Sequence, residues 1–324
     1  MADSVLVNQL AGIVSAGTPL ILAAVGETFT ERAGVVNLSL DGSMMLSGLA
    51  GFVVGVTTGS ALLGSLAAMA VGATIAVIVA ASSFELKQSQ VAIGFILTLL
   101  CRDLSIFLGA PYRRQPGIPV PYMAIPLLRD IPVIGKIFFQ QDAFTYLSFI
   151  VIIAAWFWIF RTRAGLALRS VGERPQTAFA RGVNVNRTRY LYTALGGALV
   201  GLGGAAFTLA LNSTWDEQAI QGSGWIALAI VIFGGWHPAR VAIGVYLVAT
   251  LQSLPDKLQG IGVPAAILNA IPWLLMLATL LAVSGPYFEG LLKITSPRFH
   301  PLIRALLRSK PPAALGSVFE QEGR

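Results

Sequence analysis

The sequence predicts an all-α, polytopic integral membrane protein. Three observations predict it: a charge content too low for a water-facing surface, apolar runs of bilayer length, and a sorted distribution of Lys and Arg. Hydrophobic residues make up 55% of the 324 residues and charged residues 11%. Soluble domains carry about 25% charged residues, so a soluble fold of this composition could not cover itself with polar side chains. The apolar runs are too long and continuous for barrel strands, which leaves helices as the structures able to pair every backbone polar group in hydrocarbon.

A crossing needs about 20 mostly apolar residues. Candidate spans fall at 10–26, 36–56, 60–82, 90–110, 144–161, 190–211, 222–236, 238–252 and 265–284, about nine in all within a range of eight to ten. The two at 222–236 and 238–252 are short and are separated by "GGWHPAR". Orientation follows from the positive charges, which accumulate in cytoplasmic loops. The loop 161–189 holds seven arginines and is assigned to the cytoplasm. Alternation then places 27–35, 83–89, 237–240 and the basic tail 291–324 on the same side. Sixteen of the 22 Lys and Arg fall inside and five outside, while Arg102 lies within a span. The N-terminus falls outside, and its "MADSVLVNQL" has no Lys or Arg, unlike a cleavable signal peptide. The chain thus divides into a membrane domain, 1–290, and a cytoplasmic tail.

The same observations exclude several functions. The net charge of +7 is a topology signal rather than a nucleic-acid footprint. Cys101 stands alone in an apolar run, and His237 and His300 are far apart, so no metal cluster is expected. There is no phosphate-binding GxxxxGK[ST] segment, and no HExxH or GxSxG motif. No catalytic residue and no cofactor of this chain's own are expected.

Several segments remain to be explained. The external loop 111–143 is proline-rich, which keeps regular helix out of it, and its length suits an ordered docking or lid segment. "GGALVGLGGAAF" at 196–207 spaces small residues for close helix packing. In 161–189, Pro175 suits the first turn of a short helix over about 175–181, closed by Gly182. Such a helix could contact a cytoplasmic partner, or the loop could serve only to set topology. "ETFTERAGVVNLSLDG" at 27–42 is polar between two apolar runs. Gly34 and Gly42 permit a helix break there, and Asn37 and Asp41, four apart, would share a helix face toward a translocation path or gate. Alternatively Asn37 or Asp41 caps a helix, with Glu31 and Arg32 paired on the surface. Arg102 and Asp103 are adjacent, so each would find a partner elsewhere, as a structural interhelical pair. In "NSTWDEQ" at 212–218, Trp215 suits the membrane interface, and Asp216 and Glu217 face either an external protein or solvent.

"TRAGLALRSVGERPQTAFARGVNV" resembles the coupling loop of permease subunits of bacterial ABC importers of the ribose, branched-chain amino acid and nucleoside class. "GETFTERAGVVNLSLDGSMMLSGLAGF" and "GSGWIALAIVIFGGWHPARVAIG" resemble two further blocks of the same class, closest to its nucleoside and simple-sugar branch. The likeness covers about residues 10–290 and departs at Ser39 and Asp41, where the family more often shows Gly and Glu. It implies a pore-forming subunit of the bacterial plasma membrane, paired with a second permease chain. An external solute-binding protein would deliver the solute, and separate ATP-binding subunits would hold ATP and Mg. It also implies that Glu173, Arg174, Pro175, Ala178 and Gly182 lie in or beside the helix that seats on the ATPase. The rival reading is an autonomous secondary transporter or channel, which would want deep acidic residues. Only Asp103 and Asp41 are expected within spans.

Overall fold

The computed structural model describes residues 2–113, 115–253 and 310–319, with single positions at 270, 274 and 277. Side chains are described from residue 6 onward. Apart from those three positions, the span expected at 265–284 lies outside the described residues, as does most of the tail.

Twelve helices are described. In chain order they are α1 (Ala2–Arg32), α2 (Leu40–Thr58), α3 (Ala61–Phe84), α4 (Gln90–Gly109), α5 (Ile134–Phe138), α6 (Ala143–Arg161), α7 (Arg163–Glu173), α8 (Pro175–Ala180), α9 (Val185–Ala205), α10 (Glu217–Ile220), α11 (Ser223–Gly234) and α12 (Pro238–Gln252). Among the described residues, six segments are long and apolar enough to cross a membrane: 6–32, 40–58, 61–84, 90–112, 143–161 and 185–211. The chain is therefore a mostly helical, multi-pass membrane protein. The spans expected at 222–236 and 238–252 are shorter helices of 12 and 15 residues.

The first expected boundary needs correction. Residues 27–32 are not a loop, because α1 continues through them to Arg32. Glu27, Thr28, Thr30 and Glu31 are buried on it, so two more acids lie within a span than expected. The polar residues there hid the helix, because they face protein rather than lipid.

The core gathers around α9, which packs on α1, α2 and α3. Its glycines make this possible. Gly196 abuts Gly26 and Thr30 of α1, Gly197 and Gly201 abut α3, and Gly204 abuts Met44 and Gly48 of α2. A Cβ at any of the four would collide with neighbouring atoms. In lipid, where apolar surface gains little from mere burial, such close backbone approach supplies the dispersion contacts that hold helices together. Past Ala205 the helix widens into a π-helical turn, Ala206–Leu211, tied to α2 by Thr208 Oγ1 donating to the Gly48 carbonyl at 3.1 Å.

The loops sort into two ends. At one end Arg32 Nε donates to the Trp236 carbonyl (3.0 Å), the Val36 N–H donates to Gln90 Oε1 (2.8 Å), and Tyr190 donates to Glu85 (2.8 Å). At the other end Gly117 N donates to the Ser213 carbonyl (2.8 Å), and Gln141 Nε2 to the Ala11 carbonyl (3.2 Å). This is the grouping that alternation from the Arg-rich loop required. The loop 111–143 does contain regular structure. A short antiparallel pair, β1 (Tyr122–Ala124) and β2 (Gln140–Asp142), flanks the single-turn α5. Its prolines keep longer elements out.

Replacing Gly197 with Val should separate α9 from α3. Overpacking of this kind costs roughly 1–3 kcal/mol, read as a lower thermal midpoint in detergent. The same change at Gly59, where added atoms meet open space, tests the left-handed backbone alone.

Candidate functional site

The polar stretch 27–42 is a break between α1 and α2. Gly34, at φ +86°, turns the chain out of α1, a conformation that favours glycine. Space is also limiting, since a Cβ there would lie 3.1 Å from both the Ala314 carbonyl oxygen and the Arg189 guanidinium. Residues 35–37 are non-helical, and α2 begins at Leu40. The break runs beside α4: Val36 bonds to Gln90, Leu38 accepts from Thr98 Oγ1 (2.6 Å), and Gly42 lies against the Thr98 backbone. Thr98 is eight residues into α4, about 12 Å along its axis. The irregular backbone therefore reaches well into the bundle, and protein groups satisfy it as a bilayer interior demands.

Gly42 is not a break. It sits inside the first turn of α2 and serves close packing on α4. Asn37 and Asp41 do not share a helix face, because Asn37 precedes the helix. Both are buried and committed to neighbours. Asn37 Oδ1 accepts from the Ser39 N–H (3.1 Å) and Ser39 Oγ (2.6 Å), and Ser39 Oγ lies 3.0 Å from Ser43 Oγ. Asp41 Oδ1 accepts from the N–H groups of Gly222 (2.8 Å) and Gly224 (3.1 Å). Asp41 thus caps the first turn of α11, almost two hundred residues away in sequence. A carboxylate suits the positive end of that helix. This also explains why α11 is short, because it begins at the depth of Asp41 rather than at the surface.

Below the break, Glu31 and Arg32 are not a surface pair. Glu31 is buried and accepts from Trp236 Nε1, while Arg32 bonds to the Trp236 backbone and stacks over Phe160 (5.7 Å). The Glu27 carboxylate lies beside Asn37 without a hydrogen bond of ordinary geometry. The sequence reading missed this buried acidic face, and its signal was the i, i+4 spacing of Glu27 and Glu31. His237, at the start of α12, stacks on Phe160 with ring centres 4.9 Å apart. Burial, with Arg240 and Arg32 nearby, pushes its pKa below the usual histidine value.

Arg102 lies within Coulombic reach of Asp41, and its buried Nε has no hydrogen-bond partner among the described residues. Asp103 is exposed on α4 and meets no hydrogen-bond or ion-pair partner among the described residues. Trp215 is fully buried against Gly109, so its ring faces protein. Asp216 caps α10 through the Gln218 N–H (3.0 Å), and Glu217 forms an ion pair with Arg113.

The Arg-rich segment folds as two helices, α7 and α8. Gly165, Leu168, Val171 and Gly172 form the buried face of α7. Pro175 opens α8, which ends at Ala180, and Gly182 (φ +84°) reverses the chain. The Gly182 and Val183 N–H groups close the last turn on Phe179 and Ala178. Pro175 and Ala178 face inward, whereas Glu173, Arg174 and Gly182 are exposed. A groove of about 510 Å³ runs between the helices, lined by Arg163, Leu166, Ser170, Arg174, Thr177 and Arg181 among others.

Residues 9–281 match the family described as the branched-chain amino acid transport system permease component. A glucose ABC transporter permease protein of Haloferax volcanii, itself assigned as putative, is 36% identical over 76% of this chain and 77% of its own length. A nucleoside ABC transporter permease protein of Lactococcus lactis is 34% identical over 85% and 92%. A guanosine ABC transporter permease protein of Bacillus subtilis is 35% identical over 82% and 88%. No solved structure matches.

Two outcomes follow from this geometry. Asp41→Ala leaves two N–H groups at the start of α11 without their acceptor, at a cost of about 1–3 kcal/mol in thermal stability, and Asp41→Asn should retain part of it. His237 titrates below its unfolded value, so folding stability should fall as pH drops below about 6.5, because the unfolded chain then binds more protons. Thermal midpoints across pH 5–8 should show a smaller acid decline in His237→Gln.

Proposed function

The chain belongs to the branched-chain amino acid transport system permease family, and on that premise we propose that it forms the translocation path of an ATP-driven importer for a nucleoside or simple sugar. The family match over 9–281 carries the reading. The choice of solute leans on the three relatives, which are named for glucose, nucleoside and guanosine. A neutral, hydroxylated solute also suits a bundle with few fixed charges.

The chain works in the plasma membrane with a second permease chain. ATP-binding subunits sit at its Arg-rich end and hold ATP and Mg, and an external solute-binding protein delivers at the opposite end. In this reading α7 and α8 form the cytoplasmic coupling module. Glu173 and Arg174 face the ATPase, Pro175 and Ala178 seat the module on the bundle, and Gly182 ends it. The exposure of the first two and the burial of the next two support that division. The segment Gly34–Gly42 is the gate, held shut by the contacts of Asn37 and Asp41. When the partner ATPases close, α7 and α8 shift, α1 and α9 tilt with them, and the cavity between the two permeases changes the side to which it opens. Asp103 and Arg102 lie on the α4 wall of this path or of the permease pairing.

Co-purification tests the reading. A tagged chain extracted in mild detergent should bring down an ATPase with phosphate-binding loops and a second permease. Replacing 173–182 with a flexible linker should abolish both ATPase recovery and ATP-dependent uptake, while membrane insertion stays normal. Recovery of this chain alone, or intact uptake in that variant, would overturn it.

A further inference from the structure

Residues 310–319 lie far in sequence from the bundle yet are bonded into it at every turn. The Ala313 N–H donates to Glu173 Oε2 (3.3 Å), and the Ala314 N–H donates to the Gly172 carbonyl (2.9 Å), at the end of α7. The Gly316 N–H donates to the carbonyl of Gly34 (3.0 Å), the residue at which α1 breaks. Arg189 Nη1 donates to the Ser317 carbonyl (2.7 Å), and its guanidinium also faces Gly34 and the Phe84 ring. Phe319 packs on Phe179 of α8, with ring centres 5.6 Å apart, and joins the small cluster of Val171, Ala178 and Val185.

Within ten residues the segment touches both helices of the Arg-rich module and the α1–α2 break. A reverse turn at 313–316 holds it in shape, closed by the Leu315 and Ser317 N–H groups. Pro312 and Ala314 are buried, so this is a seated segment and not a surface drape. Arg189 is wholly buried, and its one hydrogen bond among the described residues is to Ser317. Without that carbonyl a buried guanidinium would face the break with no acceptor, so the segment and the break are electrostatically linked.

We infer that residues 310–319 are a strap that makes the α7–α8 module and the Gly34 break move as one body, with Arg189 as the positioning residue at their junction. The inference rests on the importer reading above. The strap carries no solute and no nucleotide. Its part is to turn displacement of α7–α8 into displacement of the break, because a hydrogen-bonded turn seated at both ends transmits movement that two separate contacts would lose.

The test uses the full chain assembled with its ATPase, second permease and delivery protein in proteoliposomes. It reads solute carried per ATP hydrolysed. Deletion of 310–319 should leave the ATPase bound and hydrolysing while solute per ATP falls about tenfold, the upper part of the range for mutations that alter coupling between sites. Phe319→Ala, a milder change, should lower the ratio about threefold, and Phe319→Tyr should preserve it. A wild-type ratio in Phe319→Ala and in the deletion would overturn the strap and leave the importer reading standing. Absence of ATP-driven uptake in the unaltered complex would remove both.

Discussion

Backbone groups inside hydrocarbon have no water to bond to, and this constraint governs the break between α1 and α2. The chain leaves its helix at Gly34 and must pair each freed group with protein. Gln90 takes the Val36 N–H, Thr98 supplies a donor to Leu38, and Asn37 folds back on Ser39. Each solution requires another element to be in place. Helix α4 must lie alongside with Gln90 and Thr98 at the right heights, and Gly94 and Gly42 must be small enough to admit it. The polar residues of 27–42 are the cost of having non-helical backbone at depth, which is tolerated in membrane proteins where it is buried in protein or lines a path.

The break also organises what lies beyond it. Asp41 receives the first N–H groups of α11, so that helix starts within the bundle and returns to the Arg-rich end at Trp236. There Trp236 meets both Glu31 and Arg32, closing a circuit from α1 through α2 and α11 back to α1. The glycine seam of α9 packs on α1 and α2 of that circuit, and on α3. Two kinds of force therefore meet at one place: dispersion contacts that depend on missing side chains, and charge-assisted hydrogen bonds that depend on exact reach. The shorter Asp at position 41 suits the second, since its oxygen sits within 3.1 Å of both donors.

The Arg-rich end is built differently. Its arginines pack on aromatic rings, Arg32 and Arg169 over Phe160 and Arg161 over Trp156, which lets a cationic surface rest on an apolar bundle. Helices α7 and α8 meet the start of α9 there through a small cluster of Val171, Ala178 and Val185.

Much of this was legible in the residues. Membrane class, the sorting of loops, the short helix opened by Pro175, its stop at Gly182 and the packing role of 196–207 all follow from composition, local punctuation and small-residue spacing. These are properties of neighbouring residues, so a sequence carries them openly. The continuation of α1 to Arg32, the burial of Glu27 and Glu31, the true partner of Asp41, the internal start of α11 and the seating of 310–319 were decided only by the tertiary structure. Each joins or faces positions far apart in the chain, and such pairings leave no period and no local signature. A buried carboxylate and an exposed one are the same letter, and only the neighbours that the fold brings to it tell them apart.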